Sequence, residues 1–189
     1  SQHFFSGLID CSGAMFENGR FDKNMSVVSV AGINDFNYHE MVALEKSVDV
    51  THHAFIETDS SHQWPGISDM HDAILFTIMN MVKQNKLQMQ KSVVEGYYHI
   101  WLKKINSSVN KASPGKRFAQ LQFGIMCFEG LTDVTNLKSK LKEIENSDNL
   151  RKWRIRSQNM LYQEKEMQKM LRDAFSNQNL AWWQKEITD

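Results

Sequence analysis

An aspartate and a histidine follow two strand-like runs of this sequence, and together they could do acid–base chemistry. Asp35 comes after the run 26–31 and His62 after the run 51–58, and the two residues are 27 positions apart. A carboxylate that accepts a hydrogen bond from one imidazole nitrogen fixes the tautomer of the ring, so the other nitrogen can take a proton. We therefore predict that Asp35 orients His62 and that His62 acts as a general base. In the alternative interpretation, Asp35 is a turn residue and His62 a surface residue beside a packed Trp64.

Strand-like and helix-like segments alternate over the first 86 residues, and they must position this pair. Such an alternation is typical of a parallel sheet, whose strand ends open on one edge, so residues that follow neighbouring strands can meet there. The predicted strands are 5–14, 27–31 and 51–58, and the predicted helices are 38–48 and 68–86. In the second helix we expect Ser68 as the cap and an apolar stripe of Met70, Ile74, Ile78, Met81 and Val82 on one side.

The strand pattern disappears after about residue 86, and apolar residues recur at helical spacing from there onward. Ser113 followed by Pro114 is typical of a helix start, and Gly130 of a helix end. Asp148 is placed to begin a long helix. We predict an α/β fold in which a short parallel sheet of about three strands with flanking helices (1–86) is followed by an all-α helical extension (87–189) of antiparallel helices, as in a bundle or solenoid.

The two strand–loop segments resemble those of bacterial α/β-hydrolases of the esterase and peptidase-like kind, over roughly residues 4–86. In that family a late strand is followed by a small-residue turn and the catalytic acid, as in the stretch Ala31-Gly32-Ile33-Asn34-Asp35. The next strand leads to the catalytic histidine, often with an aromatic residue and a proline, as in His62, Trp64 and Pro65. The resemblance implies a Ser–Asp–His mechanism on small-molecule or peptide substrates with ester or amide bonds. It implies that Asp35 and His62 are catalytic and that Trp64 lies near the substrate.

The sequence departs from the family pattern at its centre, because it contains no nucleophile motif. Gly-x-Ser-x-Gly does not occur in the 189 residues, and the early loop that supplies oxyanion donors has no counterpart. Asp59-Ser60-Ser61 replaces the glycines that often precede the family's histidine. Since a strand-like run starts almost at residue 1, we expect a preceding hydrolase segment that pairs with the open edge of that strand. The 189 residues alone are predicted to be inactive, because acid and base without nucleophile and oxyanion hole cannot transfer an acyl group.

A second function remains open, in which the chain is not an enzyme. The helical half would then be a protein-interaction module, and the hydrolase-like front a degenerate, non-catalytic platform. The residues encoded before Ser1 distinguish the two functions: a Gly-x-Ser-x-Gly between a strand and a helix favours the hydrolase, and its absence favours the module.

Composition and charge exclude several classes of protein. Hydrophobic residues make up 41% and charged residues 23%, which predicts a packed core. The sequence contains no run of eighteen apolar residues, so we predict no membrane span. Residues 1–82 hold three basic residues against eleven acids, whereas residues 83–189 hold nineteen against eleven. Attraction between the two halves accounts for this asymmetry. We do not predict nucleic-acid binding, because the basic residues are interleaved with acids rather than clustered.

The remaining reactive side chains point to structural roles. Cys11 and Cys127 are predicted to be buried thiols, and two cysteines cannot form a disulfide framework. The histidines lack the spacing of a zinc motif, so we expect no metal and no cofactor. Trp182 and Trp183 are predicted to anchor the end of the chain onto the helices.

Overall fold

The structure is a computed structural model that describes residues 5–13, 22–47, 50–108, 112–179 and 182–185. Its three strands form one parallel sheet in the order β1-β2-β3, which confirms the predicted short parallel sheet. All seven residues of the central strand are buried, as a strand covered on both faces requires. The strands are β1 Gly7–Cys11, β2 Ser26–Gly32 and β3 His52–Thr58. The predicted Ala14 end of the first strand lies outside the described residues.

Helices dominate the described part of the chain, as predicted. Two of them, α1 and α2, follow β2 and β3, and the helices after α2 form the predicted all-helical segment. Val48, the predicted end of the first helix, lies outside the described residues. The helices are α1 Tyr38–Ser47, α2 Ile67–Lys83, α3 Lys91–Ser108, α4 Pro114–Phe128, α5 Thr135–Glu145 and α6 Asp148–Asn177, with a further helical turn at 182–185.

The ends of helix α4 match the sequence signals, whereas the start of α2 does not. The Ser113 side chain accepts a hydrogen bond from the Lys116 N–H at 3.2 Å, and Gly130 takes a left-handed φ of 82° just after the helix. Helix α2 begins at Ile67, so Ser68 lies inside its first turn and the predicted Ser68 cap is wrong. The Ser68 hydroxyl instead accepts a hydrogen bond from Lys104 Nζ at 3.0 Å.

The buried face of α2 also differs from the predicted stripe. Ile74, which belongs to the predicted stripe, is 46% exposed. The helix packs against the sheet on one side and against α4 on another, and it is apolar over much of its circumference. Periodicity alone therefore does not select one stripe. The buried residues are Asp72, Ala73, Leu75, Phe76, Met79 and Asn80.

One hydrophobic core joins the sheet to helices α2, α3, α4 and α5. Full burial of one large apolar side chain contributes roughly 1.5–3 kcal/mol, so this shared core is the main source of stability. Buried members from successive elements are Val28, Ala54, Phe76, Trp101, Phe128 and Leu137. The core explains why the first compact unit extends from Ser1 to Leu150. The boundary predicted between residues 86 and 87 falls inside this unit. That residues 1–86 are part of a hydrolase domain stays a prediction.

The second compact unit is Arg151–Asp189 and consists, in its described part, of most of α6 and the turn 182–185. Within it, the ring of Phe175 stacks on Trp183 with centroids 4.6 Å apart, and Trp182 meets Trp183 edge to face. The tryptophan pair is thus fixed against the end of α6. Among all described residues, no helix has the length and apolar character needed to cross a membrane.

Candidate active site

Two loops that leave neighbouring parallel strands run side by side and form the site. Pairing continues past the strand ends, since the Ile33 N–H donates to Thr58 O at 2.9 Å and the Asn34 N–H to Ser60 O at 3.1 Å. Gly32 permits this approach, because a Cβ there would lie only 2.1 Å from Ser60 O. The β2–α1 loop therefore delivers Asp35 to the loop that carries His62.

The structure brings Asp35 and His62 into direct contact. Nδ1 of His62 lies 3.1 Å from Oδ1 and 3.2 Å from Oδ2 of Asp35. Asp35 is only 3% exposed, and its Oδ1 also accepts the Asn37 N–H at 2.8 Å, a local turn typical of aspartate. The geometry is that of a carboxylate holding an imidazole by one nitrogen. Whether the pair is catalytic stays a prediction.

The surroundings of Asp35 favour its ionised form. Burial by itself raises the pKa of Asp35, but hydrogen bonds from the Ser12 hydroxyl, the Asn37 N–H and His62 lower it, and together they leave the pKa below its ordinary value. Asp35 is therefore a carboxylate across the neutral range. An ionised acid at this position can stabilise the positive charge that His62 acquires when it accepts a proton.

His62 presents its other nitrogen away from Asp35. Its side chain is half exposed, and the ring of Phe36 lies against it with centroids 4.4 Å apart. Beside it is a depression of about 350 Å³, lined by Cys11, Ser12, His62, Gln63 and Trp64. Because Nδ1 is bound to Asp35, Nε2 is the nitrogen available to a reacting group. Trp64 is 83% exposed, so the alternative interpretation of a packed Trp64 is wrong.

Ser12 belongs to the site, although sequence reasoning gave it no role there. It follows β1, is only 6% exposed, and lines the depression beside His62. Its carbonyl accepts a hydrogen bond from Asn37 Nδ2 at 2.9 Å. The available signal was a polar turn, Asp10-Cys11-Ser12-Gly13, at the end of a strand parallel to the two that carry the acid and the histidine.

Neither cysteine is an activated nucleophile. Burial, with a smaller effect of the Asp10 charge, raises the pKa of Cys11, and its sulfur lies 3.9 Å from the Met70 sulfur. Cys127 is fully buried, as predicted, and burial raises the pKa of its thiol far above the ordinary value. Both thiols are free. In the part of the chain that the structure describes, no cluster of three His, Cys, Asp or Glu could hold a metal ion.

No protein-family model matches this chain, and neither a curated protein nor a solved structure does. The hydrolase resemblance is therefore carried only by the motifs in the sequence.

Proposed function

We propose that this chain supplies the acid and the histidine of a serine α/β-hydrolase that acts on ester, amide or peptide bonds. The observation that carries the proposal is the contact between buried Asp35 and His62 Nδ1, made where two adjacent parallel strands end. Residues that follow parallel strands at one sheet edge are typical of active sites in α/β proteins.

In the proposed mechanism His62 first accepts one proton and then donates it. His62 Nε2 takes the proton of a serine hydroxyl as its oxygen attacks the carbonyl carbon, and the imidazolium then gives that proton to the leaving alcohol or amine. Asp35 keeps its charge throughout, holds Nδ1–H and stabilises the imidazolium. Water then attacks the acyl group in the same way, with His62 as base and then as acid, and the serine is released.

The nucleophile in this proposal comes from outside residues 1–189. No Gly-x-Ser-x-Gly is present in the sequence, so none of the serines near the pair lies in such a motif. We propose that a preceding segment carries the serine and pairs with β1. Among the described strands, β1 is at the end of the sheet order and is bonded on one side only, which leaves room for that segment.

The state of His62 tests the acid–base pair within this chain. In a long-range ¹H–¹⁵N spectrum of neutral histidines, assigned with His62→Gln, we expect His62 to carry its proton on Nδ1. In Asp35→Asn the proton should move to Nε2, because the asparagine amide can donate to Nδ1. An Nε2–H tautomer in the unmodified chain would contradict the proposal.

A second function, a helical protein-interaction module on a non-catalytic platform, is supported by helix α6. Its residues from 151 onward expose many apolar side chains, and clustered exposed apolar surface is typical of interaction sites. They are Ile155, Met160, Tyr162, Met167, Met170, Leu171 and Phe175. A complete polypeptide without any Gly-x-Ser-x-Gly would favour this function over the hydrolase.

A further inference from the structure

Helix α6 buries no side chain beyond Leu150 in the described part of the chain. Leu150 belongs to the first compact unit and is fully buried, whereas every described residue from 151 onward is exposed or half-exposed. Most of the stability of a helix in a protein comes from the packing of its apolar face. A helix of 30 residues that buries so little therefore has an apolar face available for a surface to which the protein binds.

The apolar side chains of this segment form a stripe along one side of the helix, which we call the α6 stripe. At about 100° per residue, its members fall within about 80° of the circumference. Phe175 extends the stripe beyond the helix, because its ring stacks on Trp183, which meets Trp182 edge to face. Glu164 is an acidic residue on the same side. The members are Trp153, which is half-exposed, and Met160, Met167, Leu171 and Phe175, which are 47% to 71% exposed.

Positive charge borders the α6 stripe on both sides. Residues 149–163 contain four basic residues and no acid, and Glu166 and Asp173 lie on the opposite side of the helix. A second copy of the helix would bring like charges together along the stripe, which disfavours self-association and favours an anionic partner. The bordering residues, all exposed, are Lys152 and Arg156 on one side and Lys165 and Arg172 on the other.

We propose that helix α6 binds in the plane of a membrane surface that contains anionic lipids. A helix with Trp, Phe and Leu on one side and Lys and Arg beside them places its apolar face about 5–10 Å deep at the headgroup boundary. The bordering Lys and Arg side chains reach the lipid phosphates while their stems cover apolar surface. Tryptophan, present at both ends of the α6 stripe, is enriched at this level of a bilayer. The inference does not depend on the proposed hydrolase.

Sedimentation of the complete chain with lipid vesicles tests the proposal. Vesicles of phosphatidylcholine alone are compared with vesicles of phosphatidylcholine and phosphatidylserine in equal parts. We expect binding to the second kind only, together with a shift of tryptophan emission to shorter wavelength. Added salt should weaken the binding, because it screens the attraction between basic side chains and lipid.

Paired substitutions on α6 locate the contact. Met167→Gln with Leu171→Gln removes two members of the α6 stripe and should lower the vesicle partition coefficient at least about tenfold. The matched control is Ile155→Gln with Tyr162→Gln, which changes two exposed apolar residues on the opposite side and should alter the coefficient less than about twofold. Far-ultraviolet circular dichroism checks that each variant keeps its helical content.

Charge substitutions should act with opposite signs. Lys165→Gln with Arg172→Gln should weaken binding about tenfold, whereas Glu164→Gln should strengthen it, because Glu164 faces the negative lipid. The absence of binding to phosphatidylserine vesicles, or equal binding to phosphatidylcholine alone, would overturn the inference and leave a protein as the partner of this helix. A dimer in solution that Met167→Gln with Leu171→Gln dissolves would also overturn it, since a second copy would then cover the stripe.

Discussion

Asp35 is the residue on which the contacts of the site converge. It is buried, it accepts hydrogen bonds from the Asn37 N–H and from His62 Nδ1, and it holds the ring that would take the proton. A carboxylate with a lowered pKa binds protons less readily in the folded chain than in the unfolded chain. Its contribution to stability is therefore complete above the unfolded pKa of about 3.9 and is lost as the pH falls through the lower folded value.

We expect Asp35→Asn to lower the free energy of unfolding by about 1–3 kcal/mol at pH 7, because a neutral amide replaces the buried carboxylate and one acceptor oxygen becomes a donor. The difference from the unmodified chain should shrink as the pH falls below about 4 towards the lowered pKa of Asp35. Urea unfolding at several pH values measures it. The control is Asp59→Asn, where a 75% exposed carboxylate pairs with Lys116 and a change below about 1 kcal/mol is expected. A difference for Asp35→Asn that is constant with pH would contradict this role.

At the scale of elements, the site depends on the contact between the loops after β2 and β3. Gly32 lies at their junction, where any Cβ would meet the Ser60 backbone. Because the obstacle is backbone rather than a flexible side chain, one of the loops has to move. The distance between Asp35 and His62 therefore depends on a glycine that contacts Asp35 through its backbone, where Gly32 O accepts the Asp35 N–H at 3.0 Å.

Gly32→Ala should lower the free energy of unfolding by about 1–3 kcal/mol, the usual cost of overpacking. It should also weaken the Nδ1–H signal of His62, since the two loops separate. Gly66→Ala is the matched control in the second loop, because its Cβ would meet only Asp69 Oδ2 at 3.4 Å. We expect that control to stay within about 1 kcal/mol and to keep the His62 signal. Equal effects of Gly32→Ala and Gly66→Ala would contradict the claim that Gly32 allows the two loops to approach each other.

Two helical glycines give a sharper test of how α3 packs on α4. In a helix interior, Gly→Ala is favourable by about 1 kcal/mol, and nothing lies within 4 Å of a Cβ on Gly96 of α3. A Cβ on Gly124 of α4 would lie 2.3 Å from Nε1 of the buried Trp101. Thermal unfolding should therefore show Gly96→Ala raising the midpoint and Gly124→Ala lowering it. A higher midpoint for Gly124→Ala would show that α3 and α4 do not pack this way.

The elements were predictable where one local signal decided them. The β-branched run of β2 and the Ser113-Pro114 start of α4 predicted those elements because strand composition and capping act over a few residues. The Asp35–His62 contact followed from the parallel topology. The buried face of α2 did not, because it depends on which neighbours surround the helix. Ser12 was missed because its place beside the pair depends on a φ value and on a contact with Asn37, 25 positions away.

At the scale of the whole molecule, the first compact unit holds the pair at the carboxyl edge of a sheet with few strands. Helices α2 to α5 cover the core, and β1 ends the described sheet. This arrangement orients the imidazole of His62, but it offers no activated nucleophile among the described residues. A histidine alone is a weak catalyst of acyl transfer, since it lacks the stabilised oxyanion.

We therefore expect residues 1–189 to hydrolyse p-nitrophenyl acetate no faster than free imidazole at matched concentration and neutral pH. The rate should rise linearly with substrate concentration and not saturate. His62→Ala should remove only the contribution of one exposed histidine to this rate, in a chain that contains seven histidines. Saturable turnover that His62→Ala abolishes would mean that the chain carries its own nucleophile.

The most direct measurement is fluorophosphonate labelling of the complete polypeptide that contains residues 1–189. We expect one labelled serine, located before residue 1 by mass spectrometry of the peptides, with labelling reduced at least about a hundredfold in His62→Ala and in Asp35→Asn. Ser61→Gly should be labelled like the unmodified protein. An unlabelled polypeptide, a label on Ser12, or labelling that does not depend on His62 would contradict the assignment of Asp35 and His62 as the acid and base of a serine hydrolase.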